Sequence, residues 1–99
     1  KDPVMATLAD QDIRAALADL PGWELGDGEI TREYRLDSFA GAIAFVVRLS
    51  YAAEAANHHP DLDIRYSRVR VTLSTHSEGG VTAKDLDLAR VIDGIAPAQ

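Results

Sequence analysis

Cysteine is absent from this 99-residue chain, so disulfides and thiolate metal ligands are both excluded. The absence fits a reducing compartment, and a cytoplasmic location is expected. Basic charge is scarce: 10 Lys and Arg stand against 16 Asp and Glu, a formal net charge of −6. Binding to nucleic acid or to an anionic membrane relies on Lys and Arg to displace counterions, so neither partner is expected. The sequence shows no apolar run of membrane-spanning length, no signal-peptide pattern, no repeat and no low-complexity linker. Met5 reads as the natural start, with residues 1–6 a disordered leader to one domain spanning 1–99.

What is present is enough for a core. Hydrophobic residues make up 46% of the chain, and a domain near this size buries roughly two thirds of the surface its unfolded chain exposes. Leu8, Ile13, Ala16, Leu17 and Leu20 recur at helical spacing and predict a helix over about Asp10–Asp19, with Thr7 placed to cap it. Leu20-Pro21-Gly22 stops it. A short strand over Trp23–Leu25, the turn Gly26-Asp27-Gly28 and an alternating strand over Glu29–Leu36 read as a hairpin. On the second strand Ile30, Arg32, Tyr34 and Leu36 share one face.

Asp37 or Ser38 can cap a long second helix. Phe39, Ile43, Val46, Val47, Ser50 and Ala53 form its stripe, widened by Phe45, Leu49 and Ala52. That is broader than one sheet face requires, so this helix is expected to bury surface against another subunit. Pro60 disfavours helical dihedrals at His59 and ends the helix near Asn57 or His58. A third strand over Asp63–Tyr66, a tight turn at Ser67-Arg68 and a strand over Val69–Thr75 follow. Thr82-Ala83-Lys84-Asp85 has the form of a capping box, with Asp in place of the usual Glu or Gln. It opens a last helix over about Ala83–Ile95. The fold class is α+β, order α-β-β-α-β-β-α, with a four-stranded antiparallel sheet covered on one face by three helices.

All three histidines fall in one stretch, His58-His59 where a helix ends and His76 where a core strand ends. Element ends are where a scaffold can hold the backbone while side chains reach a ligand. Ordinary polar roles, metal ligation and acid–base chemistry compete. A metal needs at least three converging ligands, and adjacent histidines diverge. One imidazole as base and another as acid suit a reaction that removes and delivers a proton, such as a dehydration. Glu54, four residues before His58, shares its helix face and can orient it. Asp85 reads as a helix-capping carboxylate that stays within reach of the site. Trp23 and Tyr34 read as core.

Three blocks carry a family resemblance: Glu54-Ala-Ala-Asn57-His58-His59-Pro60-Asp61, Tyr66-x-x-Val69-x-Val71-x-Leu73-x-Thr75-His76, and Gly80-Val81-Thr82-x-x-Asp85-x-x-Leu88-Ala89. Together they resemble the pterin-4a-carbinolamine dehydratase family. The match is close over the second half of the chain and is one of pattern over the first. The resemblance implies dehydration of a 4a-hydroxytetrahydropterin to the quinonoid dihydropterin, in tetrahydropterin recycling, with no metal and no organic cofactor. It implies a catalytic set of His58, His59 and His76, which Glu54 joins as the orienting carboxylate. It implies a pterin pocket lined by His58, His59, Pro60, Asp61, Thr75, His76, Ser77, Glu78 and Asp85. His59 is expected to take or relay the N5 proton, while His58 and His76 protonate and orient the departing hydroxyl.

A homo-dimer or homo-tetramer is expected. Animal members carry a tryptophan where this chain has Leu62, which puts an aromatic pocket wall in doubt. Animal members also partner a homeodomain transcription factor, a role that nothing in these residues supports. The alternative is a non-catalytic scaffold on the same fold, like the dehydratase-like chaperones of Rubisco assembly. A further alternative is a related pterin of folate or molybdenum-cofactor metabolism as substrate.

Overall fold

A computed structural model describes residues 6–99, so the leader assigned to residues 1–6 lies almost wholly outside the described residues. The elements run α1 (Asp10–Leu17), β1 (Glu24–Gly26), β2 (Glu29–Arg35), α2 (Phe39–Ala56), β3 (Asp61–Arg65), β4 (Arg68–Leu73) and α3 (Ala83–Ile95). A single 3-10 turn, His76–Glu78, lies between β4 and α3. The four strands form one antiparallel sheet in the order β1-β2-β4-β3. The expected class and element order hold.

Registry explains the layering. Ile30, Arg32 and Tyr34 of β2 stand opposite Leu73, Val71 and Val69 of β4. Because side chains alternate, these residues share the helix-covered face. Ile30, Tyr34, Val69, Val71 and Leu73 are all buried there, against Ala42, Phe45, Leu49 and Ala53 of α2 and Leu88, Ala89 and Ile92 of α3. The other face is charged. Arg70 lies across from Glu33 on one side and Asp63 on the other, and Arg68 lies between Arg35 and Arg65.

The one charged side chain on the inner face of β2, Arg32, is matched from α3. Asp93 Oδ1 accepts from Arg32 Nη1 at 3.0 Å, from Trp23 Nε1 at 3.0 Å and from the Tyr34 hydroxyl. The Arg32 guanidinium also stacks 4.8 Å from the centre of the Tyr34 ring, a favourable cation–π placement. Burial first, and then the hydrogen bond and charge of Asp93, push the Tyr34 phenol well above its ordinary value. Gly22, at φ +95°, leaves room for this arginine: a Cβ there would sit 2.7 Å from Arg32 Nε.

Several boundaries differ from expectation. Thr7 does not cap α1; Ala9 occupies the cap position with no side-chain bond, and Thr7 instead packs against Gly80. β3 begins two residues early, at Asp61, and the turn that follows is Tyr66-Ser67, with Tyr66 at φ +52°. Tyrosine is not a residue whose chemistry announces a left-handed turn. Ser38 caps α2, its hydroxyl accepting from Gly41 N at 2.9 Å. The capping box of α3 forms as expected.

α2 also corrects the sequence reading on length. Phe39–Ala56 is an 18-residue helix of mean hydropathy 1.4, long and apolar enough by composition to cross a membrane. Here it is the core helix of the domain. Its opposite face carries Phe39, Ile43, Val47 and Tyr51, exposed by 53, 37, 49 and 74%. Their four-residue spacing makes one continuous apolar strip.

Candidate active site

The end of α2 decides where the histidines go. Asn57 takes the left-handed conformation (φ +48°) as C-cap, one of the few non-glycine residues that do so readily. The chain therefore leaves the helix sharply, and His58 N–H bonds back to Ala53 O at 3.0 Å. His58 turns inward and is 92% buried, whereas His59 stays exposed. This corrects the helical i, i+4 argument for Glu54. Its Oε2 lies 2.5 Å from His59 Nε2, not beside His58. Both members of that pair are mostly solvent-exposed.

His58 has a different partner. Its Nε2 is 2.5 Å from Oδ1 of Asp85, which is completely buried in the first turn of α3. Asp85 Oδ2 accepts from Thr82 N at 2.9 Å and from the Thr75 hydroxyl at 2.8 Å. The capping carboxylate is thus also the support of a histidine, a second role that local sequence does not reveal. Having no exposed surface, Asp85 stands behind His58 and does not itself line the hollow described below. The signal for Thr75 and Thr82 was equally faint, since each reads alone as an ordinary strand-end or capping residue.

The loop after β4 brings the third histidine. Thr75 pairs with Gly80 in an isolated bridge, and Gly79 at φ +75° closes the 3-10 turn that starts at His76. A hollow of about 240 Å³ results, lined by Asn57, His58, His59, Ser74, Thr75, His76, Ser77 and Lys84. Of the residues expected at a pterin pocket, His58, His59, Thr75, His76 and Ser77 meet there. Glu54 and Pro60 instead line a smaller apolar hollow beyond His59, together with Leu62. Asp61 starts β3 opposite Thr72, and Glu78 lies in the 3-10 turn outside the lining. Sequence reasoning missed Asn57, Ser74 and Lys84.

Two other hollows among the described residues are larger. One of about 460 Å³ lies against β1 and β2 and is lined by Glu24, Asp27, Glu29 and Glu33 together with Thr31 and Arg70, with no histidine. Another, of about 440 Å³, lies between α2 and α3 and is lined by Ala52, Ala55, Ala56, Leu88 and Val91; it shares His58 and Lys84 with the histidine hollow. Among the described residues no three His, Cys, Asp or Glu side chains are grouped to hold a metal ion. The chemistry available in the histidine hollow is proton donation and acceptance by imidazole, one ring being braced by a buried carboxylate.

Comparison with known proteins identifies the family. The sequence model for pterin 4 alpha carbinolamine dehydratase matches residues 6–95. A relative from Chloroflexus aurantiacus, provisionally named a pterin-4-alpha-carbinolamine dehydratase, is 52% identical over 92% of this chain and 98% of its own. One from Nocardia farcinica with the same provisional name is 54% identical over 90% and 94%. A crystal structure of a transcriptional coactivator/pterin dehydratase from Brucella melitensis superposes with a TM-score of 0.87 at 39% identity, covering 92% of this chain and 99% of that one. The fold is also that of a pterin dehydratase-like Rubisco assembly factor of the alpha-carboxysome (TM-score 0.62, 19% identity, 78% and 89% covered). With the family model spanning nearly the whole described chain, this protein belongs to the pterin 4 alpha carbinolamine dehydratase family.

Proposed function

We propose that this chain is a dehydratase, converting a 4a-hydroxytetrahydropterin to quinonoid dihydropterin and water by histidine acid–base catalysis. The observation that carries the reading is the convergence of His58, His59 and His76 on one hollow, with His58 braced by Asp85. Loss of the 4a-hydroxyl needs a proton delivered to a poor leaving group and another removed from N5. Three imidazoles around one cavity supply both kinds of group, and each positioned acid or base contributes about 10²–10⁴-fold. In this reading the pterin is the substrate and the reaction calls on no further cofactor. Ser77 and Lys84 offer a hydroxyl and an ammonium to the polar edge of the ring. The protein acts in tetrahydropterin recycling in the cytoplasm as a homo-dimer or homo-tetramer.

The test follows quinonoid dihydropterin formation from freshly generated carbinolamine. Wild type is expected to accelerate it over buffer, and His58→Ala, His59→Ala and His76→Ala to lose most of that acceleration. No acceleration by wild type rejects the enzyme reading and leaves the scaffold one. Full activity in all three variants rejects the site instead.

A further inference from the structure

The two hollows that meet at His58 and Lys84 differ in chemistry. Every side chain around the histidine hollow carries a nitrogen or an oxygen. The hollow between α2 and α3 is floored by methyl groups instead. Ala52, Ala55 and Ala56 fall at i, i+3 and i+4 on one face of α2 and end at their Cβ atoms. A recess of about 440 Å³ is left between them and Leu88 and Val91 of α3. Small-molecule sites run to about 300–1,000 Å³ and combine apolar walls with a few placed polar groups. At about 240 Å³ the histidine hollow falls short of that size, and its lining holds no wholly apolar side chain. Joined with its neighbour it meets both conditions. The divide between them is low, because His58 exposes only 8% of its surface and leaves the Lys84 side chain as the main feature there.

A pterin carries the same division. Its fused rings are rich in nitrogen and oxygen, while the substituent at C6 begins with carbon. C6 is bonded to N5, so a ring whose N5 faces the imidazoles starts its substituent at the rim of the histidine hollow. We propose that the hollow between α2 and α3 is the subsite for this C6 substituent, and that its alanines select a short uncharged carbon chain. This subsite rests on the dehydratase reading, which makes a pterin the ligand.

Ala55 and Ala56 are exposed, so a carbon chain laid on them removes apolar surface from water. Lys84 and Asp87 stand on the same rim with opposite charges, and the mouth therefore offers no net attraction to a carboxylate-bearing tail. The apolar recess beyond His59 is the rival position. It is about half the size, at about 220 Å³, and shares only His59 with the histidine hollow. That ring is largely exposed and stands between the two, where the buried His58 does not.

The experiment measures the dissociation constants of the whole chain for stable 7,8-dihydropterins with hydrogen, methyl or n-propyl at C6, by isothermal titration calorimetry. Each carbon moved from water onto an apolar wall tightens binding by up to about threefold, so the propyl compound is expected to bind about tenfold more tightly than the unsubstituted one. Ala56→Leu fills the recess from an exposed position in the last turn of α2. Its circular dichroism is expected to match wild type, and the gain from the propyl group to disappear. Leu62→Phe, which fills the recess beyond His59, is expected to keep that gain. Intermolecular NOEs from the propyl protons are expected at the methyl groups of Ala55, Ala56 and Val91. A dissociation constant that ignores the substituent, a gain that survives Ala56→Leu, or NOEs to Leu62 in place of the alanines overturns the proposal. Failure of wild type to accelerate dehydration rejects the catalytic reading alone, since these ligands do not react. Failure to bind any of the three dihydropterins overturns the subsite too.

Discussion

The His58 imidazole and the Asp85 carboxylate, 27 residues apart in sequence, meet at 2.5 Å with Asp85 fully buried. The contact joins the end of α2 to the start of α3, so His58 contributes to the fold as well as to the site. His58→Ala strands one oxygen of a sealed carboxylate, which costs about 1–3 kcal/mol. His59→Ala removes an exposed ring whose partner is exposed too, and its stability is expected to stay within about 0.5 kcal/mol of wild type. Urea denaturation of both variants checks this; equal losses would show that the Asp85 contact contributes nothing. The activity of His59→Ala is accordingly the cleaner measure of catalysis.

Tyr34 predicts an alkaline weakness. Its folded phenol is raised above the ordinary 10.0, chiefly by burial and then by Asp93. Above pH 10 the unfolded chain releases the Tyr34 proton while the folded chain keeps it. The native state then binds more protons than the unfolded one, and stability falls as pH rises, by at most about 1.4 kcal/mol per pH unit from this group. Below pH 10 the contribution is fully present. Urea midpoints from pH 9 to 11 are expected to fall more steeply for wild type than for Tyr34→Phe; parallel lines would reject the linkage.

Arg68 sits between Arg35 and Arg65 in register on the open sheet face. Like charges directly opposite on neighbouring strands destabilise by about 0.2–1 kcal/mol per pair. Arg68→Thr keeps a good strand residue and removes both repulsions, so a gain of about 0.5–1 kcal/mol is expected at low salt. The gain is expected to shrink in about 1 M salt, where screening is strong. Thermal melts at two ionic strengths measure it, and a loss of stability at low salt would contradict it.

The strip Phe39, Ile43, Val47 and Tyr51 predicts self-association. Equilibrium sedimentation at micromolar concentration is expected to give a dimer or tetramer. Val47→Glu is expected to shift it to monomer with the circular dichroism unchanged. A wild-type monomer would count against burial of this face by a second copy.

How much of this was legible in the sequence depended on how local the cause was. The alternation of Val69, Val71 and Leu73, the Ser38 cap and the capping box at Thr82 and Asp85 each involve neighbours a few residues apart, and all three form. The gathering of three histidines was readable because each sits at the end of an element. Their partners were not. A helical count joined Glu54 to His58, but the left-handed turn at Asn57 carries His58 inward and hands Glu54 to His59. Asp93 gave no local sign of drawing together Trp23, Arg32 and Tyr34, because the donors come from a loop and a strand 59 to 70 residues away. The Tyr66 turn stayed hidden because a side chain that seldom adopts positive φ does so there.

The packing of Thr7 on Gly80, with Leu8 N bonded to Val81 O at 2.9 Å, ties the start of the described chain to the loop that carries His76. Anything that pulls on the region before Leu8 acts through that tie on one of the three imidazoles. The His76 loop is therefore held from two sides, by the Thr75–Gly80 bridge within it and by the strand-like contact of Leu8 with Val81 beside it.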